Sequence, residues 1–439
     1  MISVAISTLG CAKNIADSEI LMDQLRSQGF SITNDVEKAD VLVLNTCGFI
    51  TPAVDESVNV ISQYVDFVAQ RPVLLAVVGC LVQRYRDELA EEIPQVDIWL
   101  GVSDLQELPR RIKDILPNKA IIPQKSYTLG QSRITPEYFA YIKIADGCNH
   151  RCAFCVIPAI RGKYKSRAKD EIIENARAAA QNGAKEVCLV AQDVSGYGFD
   201  LSPATSLPEL LRSIEQIDPI RWIRLMYLYP DKITDELIDT IVNSEKICKY
   251  LDIPFQHIST KILKSMGRRE TMEKIFSLVE KLRYRIPDLS LRTTVIVGFP
   301  GETDEDFDLL YEGVRQLRFD RMGVFMYSDE EGTRAERMAG KITSDVMEQR
   351  YHKLMQLQRT ISEENLKKYV GKDIQVIIED SRETGEYVGR SRWDAPEIDG
   401  SVIVRTNTDC KLLPGDIIMT RITNSFEYDL EGLFNEYCQ

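Results

Sequence analysis

Long uncharged apolar runs are missing from this 439-residue chain. The longest, Pro72 to Val82, ends at Gln83 and Arg84 and falls short of the roughly 20 residues that span a bilayer. The start has no basic segment followed by an apolar region, so a secretory leader is not expected; Ile2 to Leu9 reads as a strand instead. Positive charge is in deficit, with 54 Lys and Arg against 67 Asp and Glu and a net charge of −13. That balance counts against broad adhesion to nucleic acid, which needs many basic contacts to phosphates, and favours a basic partner. The expected setting is cytoplasmic, with no membrane partner.

What is present is cysteine, ten in all. In a reducing compartment ten thiols argue for metal or redox chemistry rather than disulfides. Cys148, Cys152 and Cys155 fall within the stretch Ile-Ala-Asp-Gly-Cys-Asn-His-Arg-Cys-Ala-Phe-Cys-Val-Ile-Pro, residues 144–158. Such closely spaced thiolates select zinc or an iron-sulfur cluster. Structural zinc wants a fourth protein ligand, for which His150 is the local candidate. A 4Fe-4S cluster held by three cysteines leaves one iron open to a small chelating ligand, an arrangement suited to catalysis.

The length predicts two to four domains. Strands at Ser3 to Leu9, Val41 to Thr46 and Val73 to Gly79 alternate with helices at Asp17 to Gln28, Val54 to Ala69 and Arg84 to Glu91, a parallel α/β pattern. Ligands bind such sheets beyond the carboxyl ends of their strands, and there the sequence places Cys11, Cys47 and Cys80. Taken singly each is an ordinary core thiol; three at one sheet edge predict a second three-cysteine cluster able to carry sulfur. Cys188 reads as core, and Cys248, Cys410 and Cys438 as bystanders. A connector with Pro117, Pro123 and Gly130 puts a domain boundary near 130.

Six further strands alternate with helices: Tyr141 to Ala145, Glu186 to Ala191, Trp222 to Leu228, Tyr250 to Ile253, Arg292 to Val297 and Arg321 to Tyr327. They predict a partial (β/α) barrel with its chemistry at the carboxyl ends of the strands. A long charged helix, Thr343 to Lys368, leads to short β runs at Ile374 to Glu379, Tyr387 to Arg390, Ser401 to Arg405 and Asp416 to Ile422, read as a small all-β barrel.

Together these residues resemble the methylthiotransferase branch of the radical S-adenosylmethionine enzymes, over essentially the whole chain. The resemblance implies an α/β protein in three parts: an N-terminal parallel-sheet methylthiotransferase domain over 1–130, a TIM-like partial (β/α)6 radical domain over 131–369, and an OB-like TRAM barrel over 370–439. It implies two 4Fe-4S clusters and S-adenosylmethionine as cofactors. Cys148, Cys152 and Cys155 would hold the catalytic cluster, which cleaves S-adenosylmethionine to a 5′-deoxyadenosyl radical, while Cys11, Cys47 and Cys80 would hold the auxiliary cluster carrying the sulfur.

Cofactor contacts are expected from Gln192, Asp193 and Ser195 after the second barrel strand and from Arg292, Thr294 and Gly298 on and after the fifth. Phe154 would pack on the adenine, with core packing the equal alternative for it and for Tyr141. His257 reads equally as structural or catalytic, and Arg268 as a helix cap or an anion contact.

The branch has two substrate types, transfer RNA adenosine and an aspartate β-carbon of ribosomal protein S twelve. Leu-Gly-Cys-Ala-Lys-Asn at 9–14, Ile-Pro-Ala-Ile-Arg-Gly-Lys-Tyr-Lys-Ser-Arg at 157–167 and Asp-Ala-Pro-Glu-Ile-Asp-Gly at 394–400 resemble the ribosomal-protein enzymes. Independently, Gly371 to Gln439 holds seven Lys or Arg against fourteen Asp or Glu, a balance of −7, which repels phosphate and suits a basic protein. Further partners implied are an electron donor such as flavodoxin or ferredoxin and a sulfur donor. A plain electron-transfer protein is the reading outside this class, and it would not cleave S-adenosylmethionine.

Overall fold

Val-Leu-Val-Leu-Asn-Thr and Leu-Leu-Ala-Val-Val-Gly are buried at every position, as strands covered on both faces must be. They form β3 (Val41–Thr46) and β4 (Leu74–Gly79) in a sheet with β1 (Ser3–Thr8), β2 (Ser31–Ile32) and β5 (Ile98–Gly101), ordered β2-β1-β3-β4-β5 and parallel throughout. Helices α1 (Ala12–Ser27) and α4 (Leu108–Ile115) cover one face through Leu21, Leu25, Leu108 and Ile112. The other face is covered by α2 (Thr51–Val68) and α3 (Cys80–Glu92) through Ile61, Leu81 and Leu89.

The computed structural model describes residues 1–117, 119, 133–383, 385–406 and 411–434. The boundary expected near 130, and Cys410 and Cys438, lie outside the described residues. The chain divides into two compact units. The first, Met1–Asn182 with Val190–Gln192 and Ser328–Thr333, adds β6 (Phe139–Lys143), β7 (Ala145–Asp146), α5 (Ile157–Arg161), β8 (Lys165–Ser166) and α6 (Lys169–Gln181) to the sheet domain. β7 and β8 pair antiparallel and form the neck of the cysteine loop between them. Both cysteine trios therefore belong to one unit.

In the second unit β9 (Glu186–Val190), β10 (Trp222–Leu225), β11 (Ile247–Asp252), β12 (Ser290–Val297) and β13 (Arg321–Met326) pair in sequence order, all parallel. Helices separate them as the alternating pattern requires, and α12 (Ser344–Leu366) leads on to a closed barrel, β14 (Asp373–Glu383), β15 (Glu386–Ser391), β16 (Val402–Thr406), β18 (Leu430–Phe434) and β17 (Ile417–Ser425) in spatial order. The sequence pattern predicts four of these five strands. Leu430–Phe434 escapes it because the strand is short and interrupted by Glu431 and Gly432.

Charged side chains join the closed barrel to the parallel strands. Arg390 reaches Glu186, whose other partner is Arg224 at 2.7 Å, and Arg321 meets Asp394 at 2.5 Å. Glu186 and Arg224 are fully buried. Among the described residues no helix is long and apolar enough to cross a membrane.

Candidate metal centres

Each of the three strand-end cysteines is placed by the turn into which its strand runs. Cys11 is the N-cap residue of α1, with extended backbone. Gly10 before it has φ +93°, and a Cβ there would lie 2.7 Å from Cys47 Cβ, so glycine is what lets the two thiol-bearing loops close on each other. Cys47 is fixed by Ser57 of α2: the Cys47 N–H donates to Ser57 Oγ at 3.2 Å, and that hydroxyl donates to Cys47 O at 2.8 Å.

Cys80 is the first residue of α3, four residues ahead of the helix start expected at Arg84. The reason is Gly79, whose φ of +107° turns the chain from strand directly into helix. The expected start lies near a real irregularity, since Tyr85 is non-helical. Asn14 ties the three strand ends together: its amide donates to Leu9 O at 2.9 Å and Thr46 O at 3.2 Å, and its oxygen lies 3.7 Å from Cys80 Sγ.

These thiols feel one another and two cations. Burial pushes Cys80 up to about 11 against the opposing Arg161, with Cys47 and Cys11 adding to the rise. Cys47 is raised by burial and in part by Cys11. Burial also pushes on Cys11, but Lys13, the Asn14 and Lys13 N–H groups and Arg161 outweigh it and lower that thiol.

Cys148, Cys152 and Cys155 are half-buried in the loop between β7 and α5. The Cys148 N–H donates to Gly162 O at 3.1 Å and the Cys155 N–H to Cys152 O at 3.3 Å, which folds the loop over its own neck. Burial and the neighbouring Cys152 push Cys155 up to about 12, against a smaller lowering from Lys13. Lys13 thus acts on a thiol of each trio.

Among the described residues no three His, Cys, Asp or Glu side chains are gathered tightly enough to hold a single metal ion. A zinc knot of the loop cysteines with His150 therefore has no support in this geometry. A cubane separates its ligating thiolates by its own iron-sulfur body and needs a wider set than one ion does. The donor chemistry of the two sets of three free thiols is that of cluster ligands.

A further orphan marks the first unit. Gln192, just past β9, keeps both its amide nitrogen and oxygen buried without a hydrogen-bond partner, a state that calls for a ligand or another explanation. Phe154 is half-buried beside Cys155. Tyr141 is core, packed edge to face on Phe139 at 5.4 Å.

Several other expected cofactor contacts are engaged within the protein. Asp193 accepts from Ser195 Oγ at 2.6 Å and pairs with Lys232 at 2.8 Å, while Ser195 Oγ also accepts the Tyr229 N–H. Arg292 sits near the amino end of β12, the end opposite the expected site, because the strand begins at Ser290. Its guanidinium pairs with Asp252 at 3.1 Å and Asp399 at 3.5 Å, so it too is engaged within the protein. Thr294 comes next on the same half-exposed face of the strand. Met347 occupies the space over Gly298 where a Cβ would stand, so this glycine admits a helix side chain where a ligand was expected.

His257 is fully buried; its Nδ1 accepts the Ser259 N–H at 2.9 Å and Nε2 lies 3.7 Å from Glu302. Glu302 in turn accepts from Gly298 N–H at 2.8 Å and pairs with Arg350 at 2.7 Å, and this supports the structural reading. Arg268 pairs with Glu270 at 2.9 Å and stacks over Tyr229.

Arg161 is a residue that sequence reasoning did not single out. It lies buried against Cys80, Asn14, Asp17 and Asp146, and only its place in an Ile-Pro-x-x-Arg-Gly stretch next to the cysteine loop could have drawn attention to it.

Comparison with known proteins matches residues 3–101 to Uncharacterized protein family UPF0004, 142–313 to the Radical SAM superfamily and 370–434 to the TRAM domain. The chain is 43% identical over 440 residues to the ribosomal protein uS12 methylthiotransferase RimO of Caldicellulosiruptor saccharolyticus, covering 98% of this chain and 99% of that one. It is 45% identical over 438 residues to RimO of Caldanaerobacter subterraneus subsp. tengcongensis, covering 98% and 100%. Among solved structures, the radical S-adenosylmethionine methyltransferase TsrM from Kitasatospora setae aligns with TM-score 0.57 at 14% identity over 74% of this chain and 73% of its own, a likeness of fold.

Proposed function

Since the chain belongs to the RimO family of ribosomal protein uS12 methylthiotransferases, we propose that it places a methylthio group on the β-carbon of an aspartate of uS12. The observation that carries this reading is end-to-end identity above 40% with enzymes of that name, joined to two three-thiol sets in one compact unit. An unactivated C–H bond yields to no acid or base at neutral pH; a reduced 4Fe-4S cluster with S-adenosylmethionine supplies the radical chemistry when both are bound.

The chain's own residues do the rest. Cys148, Cys152 and Cys155 would hold the first cluster, and Cys11, Cys47 and Cys80 the second. Gln192 offers its unpaired amide to S-adenosylmethionine, and Phe154 a face for its adenine. The apolar surround of Val156 and Ile160 keeps water from the Cys80 thiol. The acidic terminal barrel, with its balance of −7, attracts a basic ribosomal protein and repels RNA phosphate. The reaction takes place in the cytoplasm and draws on a low-potential electron donor and a sulfur donor.

The test incubates reduced, cluster-loaded protein and S-adenosylmethionine with small ribosomal subunits and, separately, with transfer RNA. A methylthio mass gain in uS12 alone is the expected result; a gain only in transfer RNA overturns the substrate assignment. Absence of S-adenosylmethionine cleavage under strong reduction would leave electron transfer as the reading.

A further inference from the structure

Arg161 ends the short helix after the cysteine loop, and its side chain is only 2% exposed. Nη1 donates to Asp17 Oδ2 at 2.8 Å and to Asp146 Oδ1 at 3.2 Å. Asp146 stands two residues before Cys148, so this bond ties the two ends of the loop together. Nη2 donates to Asn14 Oδ1 at 2.9 Å and lies 3.3 Å from Cys80 Sγ. An anchor between loop and helix needs only the first set of bonds. The approach to sulfur is additional, and it aims a buried cation at a cysteine of the other trio.

Around it the fixed charges balance: Lys143 pairs with Asp17 and Asp146 just as Arg161 does. Two cations meet two carboxylates, and the guanidinium also faces Cys80 Sγ, which is a thiolate once it ligates a cluster. A hydrogen bond and a positive charge at a ligating sulfur favour the more negative, reduced state of a cluster, because such outer contacts tune its potential.

Resting on the two-cluster reading above, we propose that Arg161 is a positioning residue of the auxiliary centre. It donates to the Cys80 thiolate and raises the reduction potential of whatever cluster Cys11, Cys47 and Cys80 hold. Asp17 opposes it by drawing charge from the same guanidinium.

The test uses the full chain with Cys148, Cys152 and Cys155 replaced by Ala, so that the auxiliary cluster is observed alone. Electron paramagnetic resonance follows a redox titration in which the cluster takes one electron from dithionite through mediators. Set at the parent's midpoint, Arg161→Met lowers the reduced-to-oxidised ratio roughly tenfold, about 59 mV for a one-electron couple. Arg161→Lys lowers it less, and Asp17→Asn raises it.

The opposite signs matter, since a purely structural role would move both variants the same way or neither. Iron-loaded Arg161→Met with an unchanged ratio, or Asp17→Asn shifting downward, overturns the proposal. Should Arg161→Met fail to retain iron, Asp17→Asn decides alone, upward in favour and unshifted or downward against. A parent that binds no iron overturns the two-cluster reading itself, a result distinct from a loaded parent whose variants do not shift.

Discussion

Cys80 and Val156 share one small buried apolar cluster with Ile160, flanked by Val102. Val156 is the residue after Cys155, so the last thiol of the strand-end trio stands against the backbone carrying the last thiol of the loop trio. Sequence separates Cys80 from Cys155 by a domain's length, yet both lie in one compact unit. In the proposed reaction that adjacency would let a radical made at one set meet sulfur held at the other without loss of orientation.

Loss of either set has separable effects. Wild-type protein reconstituted without oxygen should hold about eight irons per chain and a triple-Ala variant of either trio about four. Cys152→Ala should abolish both 5′-deoxyadenosine and methylthiolated product, whereas Cys47→Ala should keep 5′-deoxyadenosine formation and lose sulfur insertion. Chromatography of the nucleoside alongside mass spectrometry of uS12 reads both, and equal loss in folded variants would contradict the division of labour.

Gln192 gives a second handle. Replacing its unpartnered amide by the similarly sized side chain in Gln192→Leu should weaken S-adenosylmethionine binding about tenfold. Iron content and melting temperature should hold, because no protein hydrogen bond is lost. Equilibrium dialysis with cluster-loaded protein measures the affinity; unchanged affinity with a fall in stability would make Gln192 structural.

The buried charges between the parallel strands and the closed barrel should dominate stability in the second unit. Arg224→Met strips Glu186 of a partner where neither is exposed and should cost roughly 3–5 kcal/mol. Arg405→Ala, at a pair whose arginine is 55% exposed, should cost under about 1 kcal/mol. Urea unfolding monitored by the circular dichroism of anaerobic samples distinguishes the two.

Asp306 sets an acid limit on α11 (Asp304–Leu317). Burial alone would raise its carboxyl, but Lys261, Thr303 and Ser259 outweigh it and hold the group well below the usual carboxylate range. With the folded value depressed, its stabilisation is present in full above the unfolded value of about 3.9 and is lost as pH falls towards the folded one. The stability gap between wild type and Asp306→Asn should therefore be flat from about pH 5 to 7 and shrink below about 4. A gap that widens on acidification would contradict the sign.

Much of the fold was legible because covered strands announce themselves. Val41–Thr46 and Leu74–Gly79 have no polar residue before their carboxyl ends, so the positions of Cys47 and Cys80 could be read from the pattern. Arg161 was not legible. Its value depends on Asn14, Asp17 and Cys80, which lie 81 or more positions away along the chain, and no local spacing encodes such a meeting.

Arg292 is a different case. The sequence already put it at the start of its strand, and with β12 beginning at Ser290 it still lies near the amino end, where Asp252 and Asp399 receive its guanidinium. Buried Glu186, Arg224 and Arg390 defied the usual exposure of charge, since their partners come from the terminal barrel and from neighbouring strands.

The two sets of three cysteines proposed to bear clusters are neighbours in one compact unit. Electron paramagnetic resonance of the fully reduced, doubly loaded protein tests it most directly, against the spectra of the two triple-Ala variants. Neighbouring clusters should give a spectrum split and broadened by spin coupling, different from the sum of the two single-cluster spectra. A spectrum equal to that sum, at full iron content, would contradict it.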